Sequence, residues 1–296
     1  MMENKKEEIE NYLISGKRGK DFKVFIQSLL ELSNLKSKNI SILTNKENLK
    51  LYERAFTHSC YHSDENYEFY ELLGDVTCNK IIVWYLKDRF PFLNNSEGVK
   101  VIARLRINLV SGKNFSNLAE KLGFGKFISY DYETKLKEER SVLEDCFEAF
   151  FGLTELLINE HFPNAGYSFC YSILSNILDK EEISISYVDL YDSITRLKET
   201  FDYFNSNNCS EECSYIWGNI KFDSKKDVES GLQHVRLLQR GNGKEQLLTQ
   251  GEGRLLDETK QKLCQQYLDF LHKEGFRRPI PPYYEMIERL YQQSKN

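Results

Sequence analysis

A long run of apolar residues, from about Asn66 to Phe90, constrains the fold of this chain more than any other feature. Apolar side chains such as Leu73, Ile81 and Trp84 occupy nearly every side of the segment when it is drawn as a helix. A run of this length that is apolar all round predicts a buried helix and not a strand, and Pro91 ends it because proline cannot continue a helix. The first domain is therefore predicted to form around this helix.

Acidic residues interrupt this helix and a second apolar helix that is predicted at about 140–159. Glu71 and Asp75 are four residues apart, and Asp145 and Glu148 are three apart, so each pair shares one helix face. Burying ionised carboxylates is costly unless they are paired or bind a cation. If the helices pack face to face, the four carboxylates converge on divalent cations, Mg²⁺ first. The spacing alone leaves open the alternative that both pairs face solvent.

The remaining patterns divide the chain into two structural classes. Up to residue 180 the apolar spacing is helical, with helices predicted around Phe22–Leu30 and at about 97–111, 113–122 and 164–179, and a polar break at 129–140. Beyond residue 182 a helix at about 189–204 precedes three strand-like runs, Tyr215–Phe222, Leu232–Gln239 and Gln246–Gln250, and a last helix at about 255–273. A hairpin turn is predicted at Gly241–Gly243. The sequence thus predicts an all-α domain followed by a small α+β domain of order α-β-β-β-α.

Charge and cysteine usage limit the possible functions and compartments. The formal net charge is −5, so any contact with nucleic acid has to come from local patches. The sequence has no apolar run long enough for a membrane span and no secretory signal pattern, and its seven cysteines are an odd number, which together indicate an intracellular protein. Cys209 and Cys213 lack a second pair at zinc-ligand spacing, so a metal site there is the less favoured interpretation.

The acidic helices carry motifs of a known family. The run Tyr67-Glu68-Phe69-Tyr70-Glu71-Leu72-Leu73-Gly74-Asp75 resembles the signature helix of the ribonuclease III family, Asn-Glu-Arg-Leu-Glu-Phe-Leu-Gly-Asp. The segments Ala55–Ser59, Glu97-Gly98, Leu105-Arg106 and Leu143–Ala149 with Gly152 are similar to further family elements in the same order. The resemblance covers roughly residues 51–160.

This resemblance implies an activity and assigns roles to residues. Glu71, Asp75, Asp145 and Glu148 would be the four catalytic, metal-binding acids, with Glu68 in a supporting position. The implied enzyme is a homodimeric endoribonuclease that cleaves double-stranded RNA with Mg²⁺, for which Mn²⁺ substitutes. Its products would carry 5′-phosphate and 3′-hydroxyl ends with two-nucleotide 3′ overhangs.

The implied organisation is an N-terminal helical extension over residues 1–46 and a catalytic domain over 47–182. A domain similar to double-stranded-RNA-binding domains would occupy 188–274, and a tail, either an extended clip or a disordered end, 275–296. The basic stretch Lys17–Lys23 is interpreted as a solvated lead-in to the first helix.

The signature helix departs from the family pattern at three positions. Tyr67 stands where the family has Asn, and Phe69 replaces its Arg. Leu72 occupies the position of the aromatic residue that in relatives inserts into the partner protomer. A smaller side chain there predicts a looser or differently packed dimer.

The C-terminal domain departs further from its family. Gly251-Glu252-Gly253 matches the glycines before the last helix, but Leu255–Lys260 replaces most of the lysines that meet phosphates in relatives. His234, Arg254, Lys260 and Lys262 are the candidate RNA contacts. Because phosphate contacts supply most of such affinity, weak or altered RNA binding and a structural or protein-contact role are both left open.

A catalytically silent protein is the alternative to the enzyme. Such a chain would bind or sequester double-stranded RNA, or act as a scaffold in a ribonucleoprotein. The intact set of four acids favours the enzyme, because unneutralised carboxylates repel phosphate.

Overall fold

The computed structural model describes residues 12–206, 217–241 and 244–294. It divides into two compact units, Met1–Ile183 and Ser184–Asn296. The first unit is mainly helical, and the second combines helices with a three-stranded sheet, as predicted. Within the described ranges, no helix combines the length and the apolarity that crossing a membrane requires.

The first unit is built around two long helices, α4 and α7. In chain order its helices are α1 (Lys20–Glu31), α2 (Ser37–Leu43), α3 (Lys46–Ala55), α4 (Glu68–Arg89), α5 (Gly98–Leu109), α6 (Gly112–Leu122), α7 (Tyr132–His161) and α8 (Gly166–Leu178). The core is rich in aromatic rings: Phe147, Phe150 and Phe151 of α7 are at most 1% exposed, and the Phe124 ring lies between those of Phe56 and Phe147. Helix α7 is thereby anchored along the length that carries the acidic pair.

Helix α7 begins earlier than predicted. The polar stretch at 129–140 was expected to separate helices, yet α7 starts at Tyr132. The Asp131 side chain caps the new start by accepting a hydrogen bond of 2.6 Å from the Thr134 amide, and Lys137 pairs with Glu133 one turn before it. Capping and i,i+4 ion pairs favour a helix without an apolar face, so hydrophobic spacing could not detect this segment.

Helix α4 is not buried all round, which corrects the prediction from its composition. Phe69, Leu72 and Val76 are 56%, 64% and 65% exposed, while Cys78 and Ile81 on the opposite side are fully buried. The exposed residues follow one another at spacings of three and four, so they form one apolar stripe along the helix. We call Phe69, Leu72 and Val76 the α4 stripe.

Two N-terminal details also differ from the prediction. Strand β1 (Leu13–Ile14) pairs antiparallel with β2 (Tyr130–Asp131), so the first unit is not purely helical, and strands of two residues are too short to show alternation. Arg18 is not solvated: it donates to the Phe127 carbonyl and, over 2.8 Å, to Ser129 Oγ, and its burial lowers the guanidinium pKa.

The second unit has the predicted α-β-β-β-α order. It contains α9 (Tyr187–Leu190), α10 (Ser193–Ser206), β3 (Asn219–Lys226), β4 (Gln233–Gly241), β5 (Lys244–Gly253), α11 (Leu256–Lys273) and α12 (Pro282–Ser294). The antiparallel sheet has β4 at its centre, with Phe222 opposite Leu237 and Arg236 opposite Gln250. Helices α10 and α11 cover it, and Leu197, Phe201, Trp217 and Leu268 belong to the shared core.

The C-terminal tail is neither an extended clip nor disordered along its whole length. Helix α12 occupies Pro282–Ser294, and Tyr284 and Ile287 on it are at most 1% exposed. Proline is favoured at a helix start because it has no amide hydrogen to leave unpaired. The centre of the predicted turn at Gly241–Gly243 and the pair Cys209 and Cys213 lie outside the described residues.

Candidate active site

Two glycines allow α4 and α7 to approach until their backbones touch. A Cβ added to Gly74 would lie 1.8 Å from the carbonyl oxygen of Glu148, and one added to Gly152 would lie 2.1 Å from that of Tyr70. Both distances are far below contact between heavy atoms, so only glycine fits. This close approach places the acidic pair of one helix beside the acidic pair of the other.

The four predicted acids differ in their exposure. Glu148 is 6% exposed, Glu71 and Asp145 are half-buried, and Asp75 is exposed. Glu68, the predicted supporting acid, is exposed at the start of α4. The acids therefore line the boundary between core and solvent, where a charged ligand can reach them from outside.

Burial and mutual repulsion shift the pKa values of the acids upward. The pKa of Glu71 rises to about 7, chiefly through burial and then through the charge of Asp145. The pKa of Glu148 rises to about 8, again through burial first and then through Asp75. Charges on α4 and α7 thus act on one another across the helix interface.

Asp145 has a hydrogen-bond donor that sequence reasoning did not assign. The Tyr67 hydroxyl donates to Asp145 Oδ2 over 2.7 Å, and the Tyr67 ring meets the His58 ring edge to face at 5.6 Å between centroids. Burial raises the Asp145 pKa, while the Tyr67 hydrogen bond and the nearby His58 oppose that rise. The only sequence signal for this hydrogen bond was that Tyr67 replaces the asparagine of the family pattern. Residue spacing could not show that the Tyr67 side chain reaches α7.

Asp75 is oriented by an amide and an arginine. Asn79 Nδ2 donates to Asp75 Oδ1 over 2.7 Å, and Arg106 Nη1 on α5 donates to Asn79 Oδ1 over 3.0 Å. The Leu105-Arg106 element of the predicted family pattern thus reaches Asp75 through one intervening side chain. Such a chain of hydrogen bonds restricts the rotamer of the carboxylate.

Glu144 is an acid of this site that the prediction omitted. Burial, Asp145 and then Asp75 raise its pKa, so it lies within the field of the other acids. Its carboxylate also lies against Gly112, the first residue of α6, where an added Cβ would come within 2.2 Å of Oε2. Its position next to Asp145 in the sequence was the only signal, and adjacent helix positions normally point in different directions.

We call Glu71, Asp75, Glu144, Asp145 and Glu148 the acidic cluster. Across residues 12–206, 217–241 and 244–294, none of these five side chains forms an ion pair with lysine or arginine. Over the same ranges, no three His, Cys, Asp or Glu side chains lie close enough together to hold a metal ion as they stand. The cluster is therefore a group of carboxylate oxygen donors without a lysine or arginine counter-charge among the described residues.

The candidate RNA contacts of the second unit lie in mixed surroundings. His234 on β4 is flanked by acids, with Nδ1 3.0 Å from Glu252 Oε1. Lys260 Nζ lies 3.5 Å from Asp257 Oδ1 and above the Phe222 ring. Arg254 and Lys262 are exposed. Carboxylates thus lie beside two of the four candidate RNA contacts.

This chain is similar to known proteins in sequence and in fold. The Ribonuclease III domain family matches residues 68–156. A candidate ribonuclease 3 of Invertebrate iridescent virus 6 is 35% identical over 285 residues, which are 91% of this chain and 94% of that protein. A candidate ribonuclease 3 of Frog virus 3 (isolate Goorha) is 37% identical over 172 residues, covering 57% of this chain and 46% of that protein.

Among solved structures, the nuclease domain of ribonuclease III from Campylobacter jejuni is 27% identical, with a TM-score of 0.39. The match covers 53% of this chain and 99% of that chain.

The match to the Ribonuclease III domain family and the relatives named ribonuclease 3 identify an endoribonuclease. The chain belongs to the ribonuclease III family, whose members cleave double-stranded RNA, because a relative 35% identical to it is matched over 94% of its length. This confirms the family and the fold class that the motifs implied.

Proposed function

We propose that this endoribonuclease hydrolyses double-stranded RNA with divalent cations held by Glu71, Asp75, Asp145 and Glu148. Mg²⁺ would be the working ion, and Mn²⁺ would replace it. The products would carry 5′-phosphate and 3′-hydroxyl ends and two-nucleotide 3′ overhangs. The observation that supports this most strongly is the backbone contact of α4 and α7 at Gly74 and Gly152, which brings the acidic pair of one helix to the acidic pair of the other.

The donor set fits a hard divalent cation. Every side chain of the acidic cluster offers carboxylate oxygen, the ligand that Mg²⁺ prefers. Raised pKa values mean that ionising the acids together is unfavourable until a cation compensates them, and binding then releases protons. Rotation of the side chains toward one another would complete the coordination.

Other residues of the chain would hold the acids in place. Tyr67 fixes Oδ2 of Asp145, and Asn79 with Arg106 fixes Oδ1 of Asp75. The charge of Glu68, on the preceding turn of α4, contributes to the raised pKa of Glu71. This influence on a neighbouring acid suits the predicted supporting role of Glu68. A bound divalent cation would supply Lewis acidity toward the phosphoryl group and offset the charge that develops on it.

The enzyme would act as a homodimer joined through the α4 stripe. Phe69, Leu72 and Val76 expose between 56% and 65% of their surface on the helix that carries Glu71 and Asp75. Contiguous apolar surface of this kind marks a protein interface, and a two-fold axis places the same patch on both subunits. Each subunit would then cut one of the two strands of the duplex.

The decisive experiment is cleavage of long double-stranded RNA by the purified chain with Mg²⁺ or with EDTA. Glu148→Gln keeps the size of the side chain and removes its charge, so we expect it to abolish cutting. Glu160→Gln changes an exposed acid on the same helix and should leave cutting intact. RNA that is bound but not cut by the unsubstituted chain in Mg²⁺ would instead identify a silent binding protein.

The product ends are a separate test on a duplex of defined sequence labelled on each strand in turn. Cut positions offset by two nucleotides toward each 3′ end are expected. Susceptibility of the products to an exonuclease that requires a 5′-phosphate would establish the end chemistry, and blunt or 5′-hydroxyl products would contradict this part of the proposal.

A further inference from the structure

A cavity of about 260 Å³ lies in the second unit, away from the sheet. It is enclosed by α9, α10, α11 and the segment that follows α11. Leu268 and Thr200, 2% and 3% exposed, are among its most buried lining residues, whereas Val188 and Ile280 are largely exposed. All of these elements belong to one unit, so the cavity is a property of that unit alone.

Four basic side chains line this cavity, and three of them are arginines. Arg196 comes from α10, His272 from α11, and Arg277 and Arg278 from the segment after α11. The three arginines converge from different elements on this small volume and concentrate positive charge, in a chain whose net charge is −5. A cavity with this lining selects an anion.

Among the described residues, a carboxylate pairs with one of the three arginines. Arg278 Nη1 pairs with the Glu199 carboxylate and donates to the Tyr187 hydroxyl over 2.7 Å. Arg196 Nη2 donates to the neutral Gln265 Oε1 over 2.6 Å and to Ser193 Oγ over 3.2 Å. The ion pairs formed within the described ranges include none by Arg196 or Arg277.

Arg196 also has an unsatisfied donor. Its Nε is buried and has no hydrogen-bond partner among the described residues. A buried donor without a partner costs free energy that a bound acceptor would recover.

The pKa of His272 also responds to the positive charges in this cavity. Burial lowers its pKa, and the charges of Arg277 and Arg196 lower it further, while Asp269 acts in the opposite sense. His272, Arg196 and Arg277 line the same cavity, so all three side chains can act on one ligand there.

We propose that this cavity binds a phosphate monoester, either that of a free nucleotide or the terminal phosphate of an RNA strand. Guanidinium groups bind phosphate through paired N–H donors, and two of them lack carboxylate partners here. A cavity of this small volume admits a terminal group more readily than a backbone phosphate flanked by nucleotides on both sides. The apolar side chains of Val188 and Ile280 would contact the attached sugar or base.

Binding is measured on the full chain in EDTA, so the result does not depend on cleavage. The probes are AMP and one short single-stranded RNA prepared with either a 5′-phosphate or a 5′-hydroxyl. We expect the phosphorylated RNA to bind about tenfold more tightly than its hydroxyl form. Binding of AMP as well would identify free nucleotides as a second source of the same ligand group.

Substitutions locate the site. Arg277→Gln should weaken binding of the phosphorylated RNA about tenfold and remove its advantage over the hydroxyl form. Arg289→Gln, an exposed arginine of α12 outside the cavity, is the matched control and should bind as the unsubstituted chain does. Because Arg277 is exposed and makes no ion pair in the described chain, its variant should melt at an unchanged temperature.

Two results would overturn the proposal. One is equal affinity for the phosphorylated and hydroxyl RNA together with no binding of AMP. The other is phosphate-dependent binding that Arg277→Gln and Arg289→Gln alter to the same extent, since that would place the ligand elsewhere.

Discussion

The Tyr67 hydroxyl donates a hydrogen bond of 2.7 Å to Asp145 Oδ2, joining the residue that precedes α4 to an acid in the middle of α7. Both residues lie at the acidic cluster, and Tyr67 is 3% exposed. A neutral donor to an ionised carboxylate favours the ionised form. Tyr67 therefore keeps Asp145 ionised at a lower pH than its burial alone would allow.

The first prediction concerns this hydrogen bond. Tyr67→Phe removes the donor, so the Asp145 pKa should rise further and the acidic limb of the pH–rate profile for RNA cleavage should move to higher pH. Tyr132→Phe, which alters an exposed tyrosine of α7, is the control. An unmoved acidic limb in Tyr67→Phe would mean that the hydroxyl does not influence the reacting carboxylate.

The second prediction concerns the glycines between α4 and α7. Gly74→Ala and Gly152→Ala each insert a methyl group into backbone of the facing helix. Each should lower the free energy of unfolding by about 1–3 kcal/mol or more, the usual cost of overpacking, as measured by urea denaturation. Gly125→Ala has only Leu143 near the new methyl group, at 3.9 Å, and should change stability little. Equal stability of all three variants would contradict the close approach.

The third prediction is a pH dependence of stability without metal. Glu71 and Glu148 have pKa values raised from 4.5 to about 7 and about 8 in the folded chain. Above pH 4.5 the unfolded chain loses these protons first, so it binds fewer protons than the folded chain and stability falls as pH rises toward about 8. In EDTA the melting temperature should therefore decrease from about pH 5 to about pH 8.

Mg²⁺ should reverse this loss at the high end of the range, because it binds the ionised acids of the folded chain. Glu148→Gln should flatten the pH dependence, whereas Glu160→Gln should preserve it. A melting temperature that rises over this range in EDTA, or that Mg²⁺ leaves unchanged, would count against a cation site among these acids.

The fourth prediction concerns the dimer. Leu72→Asp places a charge in the α4 stripe, where burial against a second subunit would be unfavourable, and should convert dimer to monomer in sedimentation analysis. Val24→Asp alters a residue of α1 that is similarly exposed, at 54%, and should leave the dimer intact. If the unsubstituted chain sediments as a monomer, or if Leu72→Asp remains dimeric, the stripe is not the interface.

Local sequence patterns predicted much of the fold. Helical spacing located α4, α5, α6 and α8 to within a few residues, and alternating runs located β3 to β5 within the second unit. Prediction failed where other signals replaced apolar spacing. The start of α7 depends on the Asp131 cap and on charged pairs, and β1 is a two-residue strand that exists only by pairing with residues more than a hundred positions away.

The chemistry of the site divides in the same way. The spacing of Glu71 from Asp75, and of Asp145 from Glu148, was enough to place each pair on one helix face, because helix geometry is local. The sequence could not predict that Glu144 belongs to the acidic cluster or that Tyr67 bonds to Asp145. Both features depend on how two helices that are distant in sequence face each other.

By itself, the sequence determined that two helices would each carry a pair of acids and that glycines would stand beside them. Only the tertiary structure decided that Gly74 and Gly152 bring the backbones into contact, that Glu148 is almost fully buried while Asp75 is exposed, and that the α4 stripe faces solvent. The reason is physical: hydrogen bonding within a helix sets the direction of its side chains over a few residues, whereas burial and electrostatic repulsion are set by neighbours that packing brings together from distant parts of the chain.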